Sequence, residues 1–232
     1  MMSRQKMSTT NDTERAWLER VWAHREEELY PSLFGRESKG IYPLSAEILT
    51  GTFKQESIDP RWLHYGVFQF APTASRQSWL YVTSGMSNDW ESESPDPAGY
   101  SGLGCEFILE TVAESQWAIA RLLHVMAFQI LLAHQRYPGH EMLSAYDRIP
   151  LKAPLVGDSK LTFLIVAPPV GVPATVQLES GRFEFSYLAA VTDSEAAFAR
   201  EIGAPELLQA HTLAGLHPVI DPNRNELVPK RA

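Results

Sequence analysis

The side chains best placed for chemistry fall in one stretch: a single cysteine, Cys105, two glutamates just after it, Glu106 and Glu110, and the histidines His124, His134 and His140. A thiolate nucleophile needs a base or a lowered pKa, so Cys105 beside one of these histidines would make a hydrolase. The plainer reading of Cys105 is a small core hydrophobe within a strand. Glu106 and Glu110, four apart on a strand, lie roughly 13 Å apart, beyond the about 5 to 9.5 Å of paired glycosidase carboxylates. His124 and His134 are ten apart, no His-Glu-x-x-His run puts two imidazoles on one helical face, and no third metal ligand stands at a recognisable spacing. Gly99-Tyr100-Ser101-Gly102-Leu103 approaches a nucleophile elbow but lacks its last glycine. No Gly-Lys-Ser/Thr occurs, and no Gly-x-Gly-x-x-Gly follows a strand. The expectation is therefore no catalytic residue, no metal and no cofactor.

Charge points elsewhere. The chain carries a net charge of −8, which argues against nucleic-acid binding, where Lys and Arg must neutralise phosphates. Between Arg76 and Arg121 there is no Lys or Arg, while Asp89, Glu91, Glu93, Asp96, Glu106, Glu110 and Glu114 all fall there. Such a segment attracts a basic partner. Trp79, Tyr81, Met86, Trp90 and Tyr100 sit among these acids, the aromatic and polar mixture of a contact surface. Trp79, Tyr81, Met86, Asp89, Trp90, Glu91, Glu93, Asp96 and Tyr100 are thus the expected partner-contacting residues. Gly85, Ser101, Gly102, Gly104 and Glu106 are expected to build and brace the loop. Glycines permit close backbone approach at a strand entrance, and a glutamate on an apolar strand needs donors such as the amides of the Gly85 turn.

These residues require a scaffold. Asn11 or Asp12 caps a predicted helix that runs to Leu29 and ends at Tyr30-Pro31. A short strand is predicted over 46–53, followed by strands over 62–70, 78–84 and 104–112. In the second of these, Trp79, Tyr81 and Thr83 point one way and Leu80 and Val82 the other, so it belongs inside a sheet. In the third, Cys105, Phe107, Leu109 and Thr111 oppose Glu106, Ile108 and Glu110. Trp117 to Gln135 reads as a long core helix and not a membrane span, because Arg121, His124 and Gln129 interrupt its apolar run. A Pro-rich connection over 149–154, a strand over 161–167 and a hairpin with Ser180-Gly181 as its turn follow. Asp193 then caps a helix stopped by Gly203, and Pro205 opens another through His211. Clustered strands and helices indicate an α+β fold, with a mixed, largely antiparallel sheet covered by a long central helix and flanking helices. Residues 1–10 are expected to be a disordered tail, 11–217 one domain and 218–232 an irregular tail. One cysteine forbids an internal disulfide, and the polar N-terminus lacks a secretory pattern, so a cytoplasmic location is expected.

Trp79-Leu80-Tyr81-Val82-Thr83-Ser84-Gly85-Met86-Ser87, then an acidic Pro/Gly loop, then Ser101-Gly102-Leu103-Gly104-Cys105-Glu106-Phe107, with Trp117 and the long helix after it, resembles the suppressor of fused (SUFU) domain. The similarity extends from about Trp62 to His211. It implies a compact unit that binds without catalysing. The animal namesake sequesters transcription factors and carries a second, partner-clamping domain, for which this sequence offers no counterpart. Compact bacterial-type members look like immunity proteins that neutralise a toxin by stoichiometric binding. Binding to another, basic protein is the leading expectation. A hydrolase using Cys105 or Glu106 with a histidine, and a self-associating structural module, are the alternatives.

Overall fold

In the computed structural model, which describes residues 16–227, nine strands form one mixed sheet. They are β1 (Glu37–Pro43), β2 (Gly66–Phe70), β3 (Trp79–Ser84), β4 (Tyr100–Thr111), β5 (Arg148–Pro150), β6 (Leu161–Ala167), β7 (Thr175–Leu178), β8 (Gly181–Thr192) and β9 (Val219–Ile220). The order is β1-β2-β3-β4-β8-β6-β5, with β7 also on β8 and β9 also on β4. Every pairing is antiparallel except those of β4 with β8 and with β9. The helices are α1 (residues 16–34), α2 (Gln116–Ala133), α3 (Asp193–Glu201) and α4 (Ala204–Leu213). The fold is α+β, as the clustering of elements predicts.

The two-residue period of the strands divides the core between the sheet's faces. Tyr81, Phe107 and Leu109 join Leu122, Met126 and Ile130 of α2 in one buried cluster. Leu80, Val82 and Ile108 join Tyr30 and Phe34 of α1 and Ala196, Phe198, Leu207 and Leu208 of α3 and α4 in the other. The molecule is thus three layers, with α2 on one face and the remaining helices on the opposite one. α2 has the length and hydropathy of a membrane span, and 61% of it is buried inside the fold. Its outer side is partly covered too: Arg121 donates to the carbonyls of Pro154 and Leu155, and Phe53 stacks on Phe128.

Several elements differ from the sequence expectation. The cap assigned to Asn11 or Asp12 and the tail over 1–10 lie outside the described residues. α1 does not end at Tyr30-Pro31 but continues to Phe34. Pro31 follows the wide-wound turns of His24–Leu29, which loosen the ladder its ring would otherwise clash with, and Gly35, at φ 88, ends the helix. The strand predicted over 46–53 is a wide helical turn, Ile48–Thr52, nucleated where Ser45 accepts from the Ile48 amide and Thr50 donates back to Ala46. The start of the 62–70 strand is instead a tight turn, Pro60–His64, because Asp59 accepts from the Arg61 amide at 2.9 Å. Thr192, not Asp193, caps α3, through a reciprocal box with Glu195. Part of the expected irregular tail is β9, lying along β4.

A braced loop and its candidate docking surface

Glu106 is 0% exposed, which is tolerable for a carboxylate only if donors surround it. They do. Its Oε1 accepts from the amides of Gly85 (3.0 Å) and Ser87 (2.9 Å) and from the Ser87 hydroxyl (2.7 Å). Its Oε2 accepts from Thr83 Oγ1 at 2.6 Å, and Thr83 Oγ1 in turn accepts from the Phe107 amide at 2.8 Å. The turn leaving β3 is therefore folded around a carboxylate presented by β4, as the need for Gly85-turn donors predicts.

Two glycines make this closeness possible. Gly85 has φ 128, and a Cβ there would stand 2.4 Å from the Tyr65 ring. Gly102 has φ 55, and a Cβ there would meet the Asn88 carbonyl at 2.4 Å, so β4 enters pressed against the loop backbone. Leu103 donates its amide to the Met86 carbonyl at 2.7 Å. Ser101 bridges outward, donating to the Ser87 carbonyl and contacting the Ser180 hydroxyl, both at 2.6 Å. Gly104, at φ 68, packs under Tyr100.

The cation beneath the loop comes from α1, a contribution the sequence reading missed. Arg25 is fully buried and donates through Nη1 to Ser87 Oγ (2.8 Å) and Asn88 Oδ1 (2.6 Å), and through Nη2 to Glu26 (2.9 Å). Glu26 also accepts from Ser84 at 2.6 Å, and Tyr30 donates to the Thr83 carbonyl at 2.8 Å. Burial disfavours the Arg25 cation, but Tyr30, Glu106 and Glu26 more than offset it, so its pKa rises. No local signal links Arg25 to residues about sixty positions later. Only the general need of a buried carboxylate for a compensating cation could have prompted a search.

The expected contact residues divide by burial. Tyr81 and Met86 are core side chains, and Asp89 is buried as well. These three are corrected: Met86 and Asp89 lie buried within the loop, and Tyr81 belongs to the core beneath α2, so none of them forms its surface. Tyr81 even accepts from the Ser115 amide at 2.7 Å, ahead of α2. Trp79 and Trp90 are half-buried, while Glu91, Glu93, Asp96 and Tyr100 are exposed, Tyr100 by 54%. Trp90 packs edge-on against Trp22 of α1 at 4.9 Å between centroids, with His64 beside both.

Folding also brings cations to the cation-free stretch. Arg61 pairs with Asp59 (2.6 Å) and Glu91 (2.8 Å). Arg182 lies 4.1 Å over the Tyr100 ring and donates to the Ala98 carbonyl. Among the described residues, Glu93 and Asp96 enter no ion pair.

The nucleophile reading of Cys105 finds no chemical support. Burial pushes its thiol up to about 12, only partly opposed by a 3.5 Å contact from Gln129 Nε2. His124 is engaged within its own helix, where its Nδ1 donates to the Ala120 carbonyl. Among the described residues no group of three His, Cys, Asp or Glu side chains could hold a metal ion.

The chain is thus an α+β protein with a mixed sheet packed on both faces, its third and fourth strands clasping a turn around a buried glutamate. The family model described as suppressor of fused protein (SUFU) matches residues 61–225, and the chain belongs to this family. Among solved structures, a SUFU homolog from Neisseria gonorrhoeae FA 1090 is similar at 18% identity and TM-score 0.62, over 94% of this chain and 100% of that one. A chain of the Sufu-Fu complex is similar at 18% identity and TM-score 0.52, over 83% and 82% of the two chains. No curated protein matches.

Proposed function

We infer that this protein acts in the cytoplasm by binding another, basic protein through the loop between β3 and β4, without catalysis, as an immunity protein neutralises a toxin domain. The observation that carries this is a contrast of rigidity and exposure. Residues 86–89 are buried and cross-bonded through Glu106, Arg25 and Ser101, whereas Glu91, Glu93, Asp96 and Tyr100 stand exposed above them. A preorganised floor spares the entropy of ordering a loop on binding, and exposed acids accelerate encounter with a cationic surface. A chain of similar fold occurs in a Sufu-Fu complex, which agrees with a binding role. The hydrolase reading is weaker because Glu106 has its acceptor sites filled and the Cys105 thiol stays protonated near neutral pH.

The test is a pull-down from the native source, followed by titration of the isolated partner with wild type and with Glu93→Ser/Asp96→Ser. Affinity is expected to fall with added salt and to drop about threefold to thirtyfold in the double variant, the scale of one or two rim charges. A complex indifferent to salt and to both substitutions would remove the charge argument. Turnover of a substrate that vanished in Cys105→Ser while the fold persisted would remove the reading altogether.

A further inference from the structure

A second polar cluster, unrelated to the loop, sits near the C-terminal end of β4. Glu110 is 5% exposed; its Oε1 accepts from the Tyr187 hydroxyl at 2.8 Å and its Oε2 from the Ser78 hydroxyl. A carboxylate has about four acceptor positions, so these two bonds leave capacity. Arg76, in the link between β2 and β3, is fixed by three carbonyls: Nε donates to Ser78 (3.1 Å), Nη1 to Phe34 (3.0 Å) and Nη2 to Ala71 (2.7 Å). A guanidinium has five N–H donors, so one on each terminal nitrogen is left without an acceptor among the described residues.

Arg76 and Glu110 line the same two adjoining clefts, of about 350 and 550 Å³, yet they form no ion pair with one another. Burial pulls the Arg76 pKa down, and the nearby charge of Glu110 only partly offsets this. The larger cleft is lined by Leu33, Val170, Val172 and Pro218 on its apolar side and by Ser32, Thr73 and Ser75 on its polar side, and its volume falls among those of small-ligand sites, about 300–1,000 Å³. Two opposite charges held apart in one cleft of mixed polarity select against simple ions. A lone anion suits Arg76 but is repelled by Glu110, and a lone cation meets the reverse.

We propose that this cleft binds a small zwitterion with an apolar body, of the α-amino acid type, its carboxylate on the open donors of Arg76 and its ammonium toward Glu110. The bidentate fit of guanidinium to carboxylate sets the orientation, and Val170, Val172 and Pro218 offer the apolar side of the cleft to the side chain.

Calorimetric titration of the whole protein with L-leucine, L-phenylalanine, 4-methylpentanoate and isoamylamine tests this. At least one of the two amino acids should saturate the protein. 4-Methylpentanoate, which is leucine without the ammonium, and isoamylamine, which is leucine without the carboxylate, should each bind about tenfold more weakly or worse, the scale of one lost charge-assisted hydrogen bond. Arg76→Gln and Glu110→Gln should erase the preference for the zwitterion. Because Arg76 also holds three carbonyls, Val172→Trp is the companion variant: it fills the cleft, leaves both charges in place, and should abolish binding. No saturation with either amino acid, equal binding of 4-methylpentanoate, or binding that survives Val172→Trp overturns the proposal.

Discussion

At the scale of single residues, Glu106 is the pivot. It satisfies two backbone amides and two hydroxyls at once, and it shares Ser87 with the buried cation of Arg25. Glu106→Ala strips all four donors of their acceptor in a dry interior and should cost about 3–5 kcal/mol. Glu106→Gln keeps the shape and an acceptor oxygen, losing mainly the charge assistance, and should cost roughly 1–2 kcal/mol. Urea unfolding of both variants checks this, and equal losses would mean that something other than the hydrogen bonds holds the turn. Gly85→Ala forces a Cβ against the Tyr65 ring at a positive φ. It should lower stability by about 2–3 kcal/mol. Thermal melts of Gly85→Ala beside Gly139→Ala, where a Cβ would meet nothing, separate the clash from the backbone preference.

At the scale of elements, legibility followed the range of the interactions. The alternation in β3 and β4, the apolar run of α2 and the hairpin of β7 and β8 are written in neighbouring residues, and the expected strands and helix stand close to where the pattern puts them. β1 was hidden because Gly40 and Pro43 read as punctuation, although an edge strand tolerates both. The parallel match of β4 to β8 joins residues such as Phe107 and Ser186, and no local period specifies that partner. The candidate surface was legible in its acids and its glycine frame, but not in Arg25, Arg61 or Arg182, which reach it from separate elements. The same long reach fixes α3. Its Glu195 accepts from both Arg224 terminal nitrogens (2.7 and 2.6 Å) and from the Leu227 amide (2.7 Å), which clamps the chain after β9. Arg224→Met takes both guanidinium donors from that buried carboxylate, leaving it only His211 and backbone amides, and should cost about 3–5 kcal/mol, against about 1 kcal/mol for loss of the cap in Thr192→Ala. Hydrogen exchange of α3 amides should accelerate far more in the first variant than in the second.

At the scale of the whole molecule, two buried groups make the fold sensitive to acid. His217 is 7% exposed, lies edge-on to Tyr187, and is held at a pKa of about 4 by burial and by the neighbouring His211, against 6.5 when unfolded. Between these values the unfolded chain binds the extra proton, so stability falls as the pH drops from about 6.5 toward 4. Glu195, despite its burial, is held well below its ordinary value by Arg224, His211 and backbone donors. It therefore stabilises the fold above about pH 4.5 and loses that contribution on further acidification. Urea midpoints taken from pH 7 to pH 4 should decline steadily, and His217→Phe should flatten the upper part of that decline; an unchanged slope would show that His217 is already satisfied.

The placement of β8 carries a consequence for how the chain is made. Until residues 181–192 leave the ribosome, the twelve-residue strand β4 has a bare flank, and at about 5–20 residues per second the nascent protein waits several seconds with it open. Fragments stopping before residue 181 should consequently collect in inclusion bodies, whereas those that retain β8 stay dispersed. Synthesis order thus turns the last third of the polypeptide into a seal over a sticky seam formed in the middle.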